Sequence, residues 1–86
     1  MTMNEKVKNI QIRYYAILRE ASGVEKETVK TAAHDAGGLY KELQARYNIR
    51  LPDRNLKVAV NDHFCSLNTV LKDGDSVVFM PPVAGG

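Results

Sequence analysis

The sequence predicts an α+β domain of two layers, a mixed sheet with one main helix packed on one face. Three observations carry that expectation. Residues 7–15 alternate apolar and polar side chains with the period of a half-buried strand. Residues 36–47 place apolar side chains at helical spacing. Residues 56–80 return to short alternating runs punctuated by Asn, Asp and Gly. The predicted order is β-β-α-β-β-β, and 86 residues leave room for one small domain only.

In the first run, Ile10, Ile12 and Tyr14 share one face, and Gln11, Arg13 and Tyr15 the other. Ser22-Gly23 supplies turn chemistry, and residues 24–31 form a second, more polar strand. The two read as a hairpin whose long loop contains Ala16 to Glu20. Asp35 is the expected N-cap of the helix. Ala36, Leu39, Tyr40, Leu43 and Tyr47 then follow at i, i+3, i+4, i+7 and i+11. Gly37-Gly38 in the first turn costs ~1 kcal/mol per glycine relative to alanine, so the start is expected to be frayed or shifted toward Gly38. Asn48 ends the helix, with Pro52 beyond it.

Leu56, Val58 and Val60 alternate with Lys57, Ala59 and Asn61 as a third strand. Asn61-Asp62 is a turn, and Phe64 to Leu67 a short returning strand. Lys72-Asp73-Gly74-Asp75 is another turn, with Gly74 free to take positive φ. Ser76 to Met80 is the final strand, with Val77 and Phe79 on one face and Val78 and Met80 on the other. Pro81-Pro82 ends it, since neither residue can donate to a ladder. Residues 1–6 are expected to be a flexible extension, 7–80 the domain and 81–86 a flexible tail. One helix covers one sheet face, so Val78, Met80, Tyr15 and Phe64 are expected on the open one. Exposed apolar patches of that kind mark partner sites.

Composition narrows the function. The chain is 44% hydrophobic and 26% charged, an ordinary soluble balance. Twelve Lys/Arg against ten Asp/Glu leave +2, too little for a nucleic-acid footprint. The charge is uneven: residues 58–86 hold only Lys72 against Asp62, Asp73 and Asp75. One cysteine, Cys65, excludes an internal disulfide, and with His34 and His63 it makes no zinc site. The first nine residues hold no apolar leader segment, and no run is long enough to span a membrane. A cytoplasmic, cofactor-free domain is expected, with too few acids, bases and nucleophiles for a self-sufficient enzyme.

Three stretches together carry a resemblance. They are Tyr14-Tyr15-Ala16-Ile17-Leu18-Arg19-Glu20; Val58-Ala59-Val60-Asn61 with Leu71-Lys72-Asp73-Gly74-Asp75; and Phe79-Met80-Pro81-Pro82-Val83-Ala84-Gly85-Gly86. Over residues 8–86 the chain resembles the ubiquitin-like sulfur carriers of the MoaD/ThiS family. The double proline places it nearer the molybdopterin synthase small subunits than the thiamine carriers. The helix opening Asp35-Ala36-Gly37-Gly38 departs from the family, which tends to place Thr and a β-branched residue or Leu there. The resemblance implies a β-grasp fold and a tail whose terminal Gly86 is adenylated and then converted to a thiocarboxylate. It also implies two partners, a ubiquitin-activating-like adenylyltransferase that uses ATP and the large synthase subunit, with two copies of each synthase chain assembled. No cofactor is bound by the chain itself. A carrier for thiamine or another pathway, and a ubiquitin-like protein modifier, are the alternatives.

The tail's residue types suit that chemistry. A bare carboxylate resists nucleophiles, because its charge repels them and oxide is a poor leaving group; adenylation removes both obstacles. Gly85 and Gly86 lack a Cβ and can thread a narrow channel. From Met80 to Gly86 an extended tail reaches roughly 20 Å. Pro81-Pro82 stiffens its base, and Val83-Ala84 continues it.

Other residues divide between site and scaffold. Arg19 can pair with a carboxylate across an interface, whereas Glu20 reads as a solvated loop residue. Asp73-Gly74-Asp75 reads as a turn, since two carboxylates without further ligands do not make a metal loop. Cys65 reads as a small, partly buried hydrophobe. Tyr40, Tyr47 and Phe79 belong to the core or its edge. Tyr15, Phe64 and Met80 are the interface candidates, subject to a strand register that a one-residue slip would reverse.

Overall fold

A computed structural model of the chain describes residues 7–82. The expected extension at 1–6 and the tail residues Val83, Ala84, Gly85 and Gly86 lie outside the described residues. The elements are β1 (Lys8–Tyr14), α1 (Ile17–Ser22), β2 (Lys26–Thr31), α2 (Ala36–Tyr47), β3 (Lys57–Val60), β4 (His63–Cys65) and β5 (Ser76–Met80). A single 3-10 turn, Asp53–Asn55, precedes β3. The five strands form one mixed sheet in the order β2-β1-β5-β3-β4. Only β1 and β5 run parallel, at its centre; the other neighbours are antiparallel. With α2 over one face, this is the β-grasp arrangement.

The period-two pattern buries the face it predicts. Ile10, Ile12 and Tyr14 of β1 and Val77 and Phe79 of β5 are each at most 1% exposed. One core row runs Tyr14–Phe79–Val58–Cys65 across four strands. From α2, Ala36, Leu39, Tyr40 and Leu43 close over it, and the Tyr40 and Phe79 rings sit 5.3 Å apart. Each large side chain so buried contributes about 1.5–3 kcal/mol. Thr31, the buried polar residue, is satisfied: its hydroxyl donates to Glu42 (2.6 Å) and accepts from the Ala33 N–H (3.0 Å). At the sheet's flank the Glu27 carboxylate accepts from the Tyr14 and Tyr47 hydroxyls, both at 2.6 Å.

Three expectations need correction. The segment read as a hairpin loop, Ala16 to Glu20, enters a short helix, α1, which buries Leu18 in the core. One buried residue among exposed neighbours leaves too little periodicity to distinguish such a helix from a loop. The returning strand is His63–Cys65 and not Phe64 to Leu67. Leu67 turns away to pack on the core, and its carbonyl accepts from the Gly37 N–H at 2.8 Å. The main helix begins at Ala36, directly after the expected cap Asp35, and is not shifted toward Gly38; Asp35 Oδ1 accepts from the Gly38 N–H at 2.8 Å. The glycines there serve close approach. A Cβ on Gly37 would lie 3.3 Å from the Leu67 carbonyl oxygen, and one on Gly38 3.3 Å from Asp35 Oδ1. The helix start is stitched to the 67–71 segment, as the Ala36 N–H donates to Thr69 and the Leu71 N–H to His34.

The Asn-Asp and Asp-Gly-Asp turns knot together where β5 begins. Asn61 (φ 52) and Asp62 (φ 72) form the two-residue turn between the paired Val60 and His63, the geometry of a type I′ hairpin. Asn61 Nδ2 donates to Asp75 Oδ1 (2.9 Å), and Asn61 Oδ1 accepts from the Ser76 N–H (3.0 Å). Gly74 (φ 89) donates to the Asn9 carbonyl, and the Asn9 N–H returns to Asp73 Oδ1 (2.7 Å). These bonds set the register of β5 and therefore where the chain leaves the sheet.

Candidate functional site

Because β1 and β5 are parallel, they finish at the same end of the sheet, opposite the knot. β5 leaves through Met80, whose register partner is Lys57, into Pro81 and Pro82. β1 leaves through Tyr15 and Ala16 into α1. Between the two exits lies an apolar groove of about 720 Å³, lined by Tyr15, Ala16, Ile17, Leu51, Met80 and the two prolines. The last described residues of the tail thus form one of its walls.

The opposite wall is held in an unusual conformation. Ala16 has φ 52 and ψ −126, a region that costs a non-glycine residue about 1–3 kcal/mol. It makes a sharp turn, closed by the Leu18 N–H donating to the Tyr15 carbonyl at 3.0 Å. That turn buries Leu18 and leaves Tyr15 (43%) and Ile17 (55%) exposed at the groove. Leu51 is tethered to α2, since its carbonyl accepts from the Tyr40 hydroxyl (2.8 Å) and from Gln44 Nε2 (3.1 Å). Burial, reinforced by the Asp53 carboxylate, pushes the Tyr40 hydroxyl up to about 12. It therefore remains a neutral donor to Leu51 at ordinary pH.

The groove unites four of the sequence-predicted site residues: Tyr15, Met80, Pro81 and Pro82. Phe64 lies elsewhere. It is 73% exposed on β4, on the open sheet face opposite Ala59 of β3. Arg19 is exposed on α1 and does not line the groove. Val83, Ala84, Gly85 and Gly86 lie outside the described residues. Sequence reasoning missed Ala16, Ile17 and Leu51. The signals for the first two were weak, an isoleucine followed by one leucine inside a segment read as a loop and an alanine that behaves like glycine. Leu51 stands alone before Pro52 with no periodic partner.

The lining offers contact and not catalysis. Among the described residues its side chains are aliphatic or aromatic, with the Tyr15 hydroxyl as their only ionisable group. Cys65 is half-buried, with Sγ directed at the Val58 carbonyl. Among the described residues, no group of His, Cys, Asp and Glu is placed to hold a metal ion. No helix among them is long and apolar enough to cross a membrane. The arrangement can seat a partner's apolar surface where β5 leaves the sheet through Met80, Pro81 and Pro82.

Comparisons with known proteins place the chain by family and fold. The ThiS family model matches residues 12–86. A Mycobacterium tuberculosis protein named molybdopterin synthase sulfur carrier subunit is 40% identical over 81 residues, spanning 90% of this chain and 96% of that protein. A solved Helicobacter pylori complex of subunits 1 and 2 of molybdopterin-converting factor contains a chain of similar fold. There the TM-score is 0.63 and the identity 32%, covering 91% of this chain and 99% of that one. SAMP1 from Haloferax volcanii matches the fold at TM-score 0.74 and 22% identity, over 91% of this chain and 99% of that one.

Proposed function

The chain belongs to the ThiS family, and on that premise we propose that it is a sulfur carrier that serves as the small subunit of a molybdopterin synthase. The observation that carries this reading is the 40% identity, over nine-tenths of the chain, to a relative of that name. Its support in the molecule is the groove at the root of the tail.

On this reading the Gly86 carboxylate attacks the α-phosphorus of ATP on a ubiquitin-activating-like adenylyltransferase, and pyrophosphate leaves. A sulfur nucleophile then adds to the acyl-adenylate carbonyl and expels AMP, which leaves a thiocarboxylate. The loaded tail enters the large synthase subunit and gives its sulfur to cyclic pyranopterin monophosphate. In each transfer the thiocarboxylate sulfur bonds to a substrate carbon as an oxygen substituent leaves that carbon. Water then cleaves the resulting thioester, which leaves the sulfur on the substrate and regenerates the Gly86 carboxylate. Two such transfers complete the dithiolene. Tyr15, Met80 and the proline pair seat the partner, and the acid-base groups are the partner's. Arg19 and Phe64 act outside the groove as further contacts. Two copies of each chain make the working assembly.

The test is the intact mass after incubation with ATP, a sulfur source and the adenylyltransferase. The expected result is exchange of one oxygen for sulfur, placed on Gly86 by fragmenting the C-terminal peptide. Fragmentation matters because oxidation of any of the three methionines adds nearly the same mass. A chain lacking Gly86 should stay folded and gain nothing. No gain on the full chain, with the enzyme active on a control carrier, would overturn the reading.

A further inference from the structure

The open face of the sheet carries a second pattern, visible only in the register. One row crosses all five strands. Lys26 on β2 lies opposite Arg13 on β1, Arg13 beside Val78 on β5, Val78 opposite Ala59 on β3, and Ala59 opposite Phe64 on β4. At about 4.8 Å per strand the row spans roughly 19 Å. It is cationic at one end and aromatic at the other. Among the described residues, the open-face strand positions hold Arg13, Lys26, Lys30 and Lys57 and no Asp or Glu. A cleft of about 410 Å³ opens at the cationic end, with Gln11, Arg13, Lys26 and Thr28 in its lining and Asp62 reaching it from the β3–β4 turn. Glu27 also borders it, but its carboxylate is engaged by the Tyr14 and Tyr47 hydroxyls.

Edge protection accounts for part of this. β2 is an edge strand, and lysines such as Lys26 and Lys30 discourage strand addition there. That account fails for Arg13, because β1 is paired on both sides. Arg13 also sits directly opposite Lys26, and like charges at paired positions destabilise a sheet. The fold carries a repulsion at an interior strand that an acidic ligand would convert into attraction.

We infer that the open face is a docking surface for a partner protein, an acidic segment of which lies over the β1–β2 half and is read by Arg13 and Lys26. The cations select an acidic occupant. Val78, half-buried, and Phe64, exposed, in the same row select a protein, since a bare polyanion leaves them unmatched. The inference rests on the sulfur-carrier reading for the partners' identities. It adds a surface distinct from the tail groove, whose lining includes neither Arg13 nor Lys26.

The test is Arg13→Glu, with Met80→Asp as the groove comparison, against the purified large synthase subunit and the adenylyltransferase at 50 and 500 mM salt. Arg13→Glu replaces repulsion by an ion pair with Lys26, so the isolated chain should melt roughly 2–6 °C higher. Its association rate with at least one partner should fall about tenfold at 50 mM salt, with the difference shrinking at 500 mM. Gain of stability with loss of binding is a combination that a purely structural arginine would not produce. Met80→Asp should weaken binding at both salts. If Arg13→Glu binds like wild type while Met80→Asp does not, the docking surface is refuted and the sulfur-carrier reading stands. A lower melting temperature for Arg13→Glu refutes the repulsion argument and the inference with it. Arg13-dependent binding to heparin or to phosphatidylglycerol vesicles, with neither protein affected, would also overturn it. Wild-type chain that binds neither protein and gains no sulfur on Gly86 overturns both readings.

Discussion

Asn61→Ala should be the most destabilising single change in a surface turn of this protein, and its cost can be worked from the knot. The Asn61 side chain makes two bonds, to Asp75 Oδ1 at 2.9 Å and from the Ser76 N–H at 3.0 Å. Both are exposed, so each contributes about 0.5–1 kcal/mol. The backbone stands at φ 52, where alanine costs about 1–2 kcal/mol more than in its preferred regions. The sum is about 2–4 kcal/mol, a large share of the 5–15 kcal/mol typical of a whole domain. Asn61→Gly separates the two contributions, because it removes the bonds and keeps the backbone unstrained. It should recover about 1 kcal/mol of the loss. The chain has no tryptophan, so urea unfolding is best followed by far-UV circular dichroism. Asn61→Ala within 0.5 kcal/mol of wild type (a bound set by ordinary surface substitutions), or Asn61→Gly as unstable as Asn61→Ala, would refute this account of the turn.

Two further outcomes test the tyrosines and the strained turn. Burial and the Glu27 carboxylate raise the Tyr14 and Tyr47 hydroxyls above the ordinary tyrosine range, and burial with Asp53 raises Tyr40 to about 12. Their contribution to stability is complete below about pH 10 and is lost as pH climbs through the folded-state values, at up to about 1.4 kcal/mol per pH unit for each group. Urea midpoints should therefore hold between pH 8 and 9.5 and drop between 10 and 12 (a window set by the ~10 reference value); flat midpoints to pH 12 would contradict the buried hydroxyl bonds. Ala16→Gly should raise stability by about 1 kcal/mol, the relief at φ 52 exceeding glycine's entropic cost. A lower melting temperature would show that Ala16 bears no strain.

What the sequence disclosed and what it hid differ in physical kind. Burial on a strand is a property of alternation along the chain, so Ile10, Ile12, Tyr14, Val77 and Phe79 could be assigned to the core without knowing their neighbours. The same holds for α2, whose apolar positions repeat at helical spacing and whose cap Asp35 precedes them directly. The groove follows another rule. It exists because two distant strands run parallel and end together, and because one alanine accepts a glycine-like backbone; neither fact has a local signature. Met80 and Tyr15 could be nominated from exposed apolarity, but their meeting depends on β5 inserting beside β1. Phe64 shows the limit of that method, since it satisfies the same criterion and lies on the other side of the sheet order, two strands from β5. The cationic row is hidden most deeply. Arg13 and Lys26 are thirteen positions apart and unremarkable in a chain of net charge +2. They become a repelling pair only through the β1–β2 register, and a surface only through the absence of any acid at the other described open-face strand positions. Charge that opposes its own fold is therefore the feature most worth mutating here, because folding alone gives it no reason to persist.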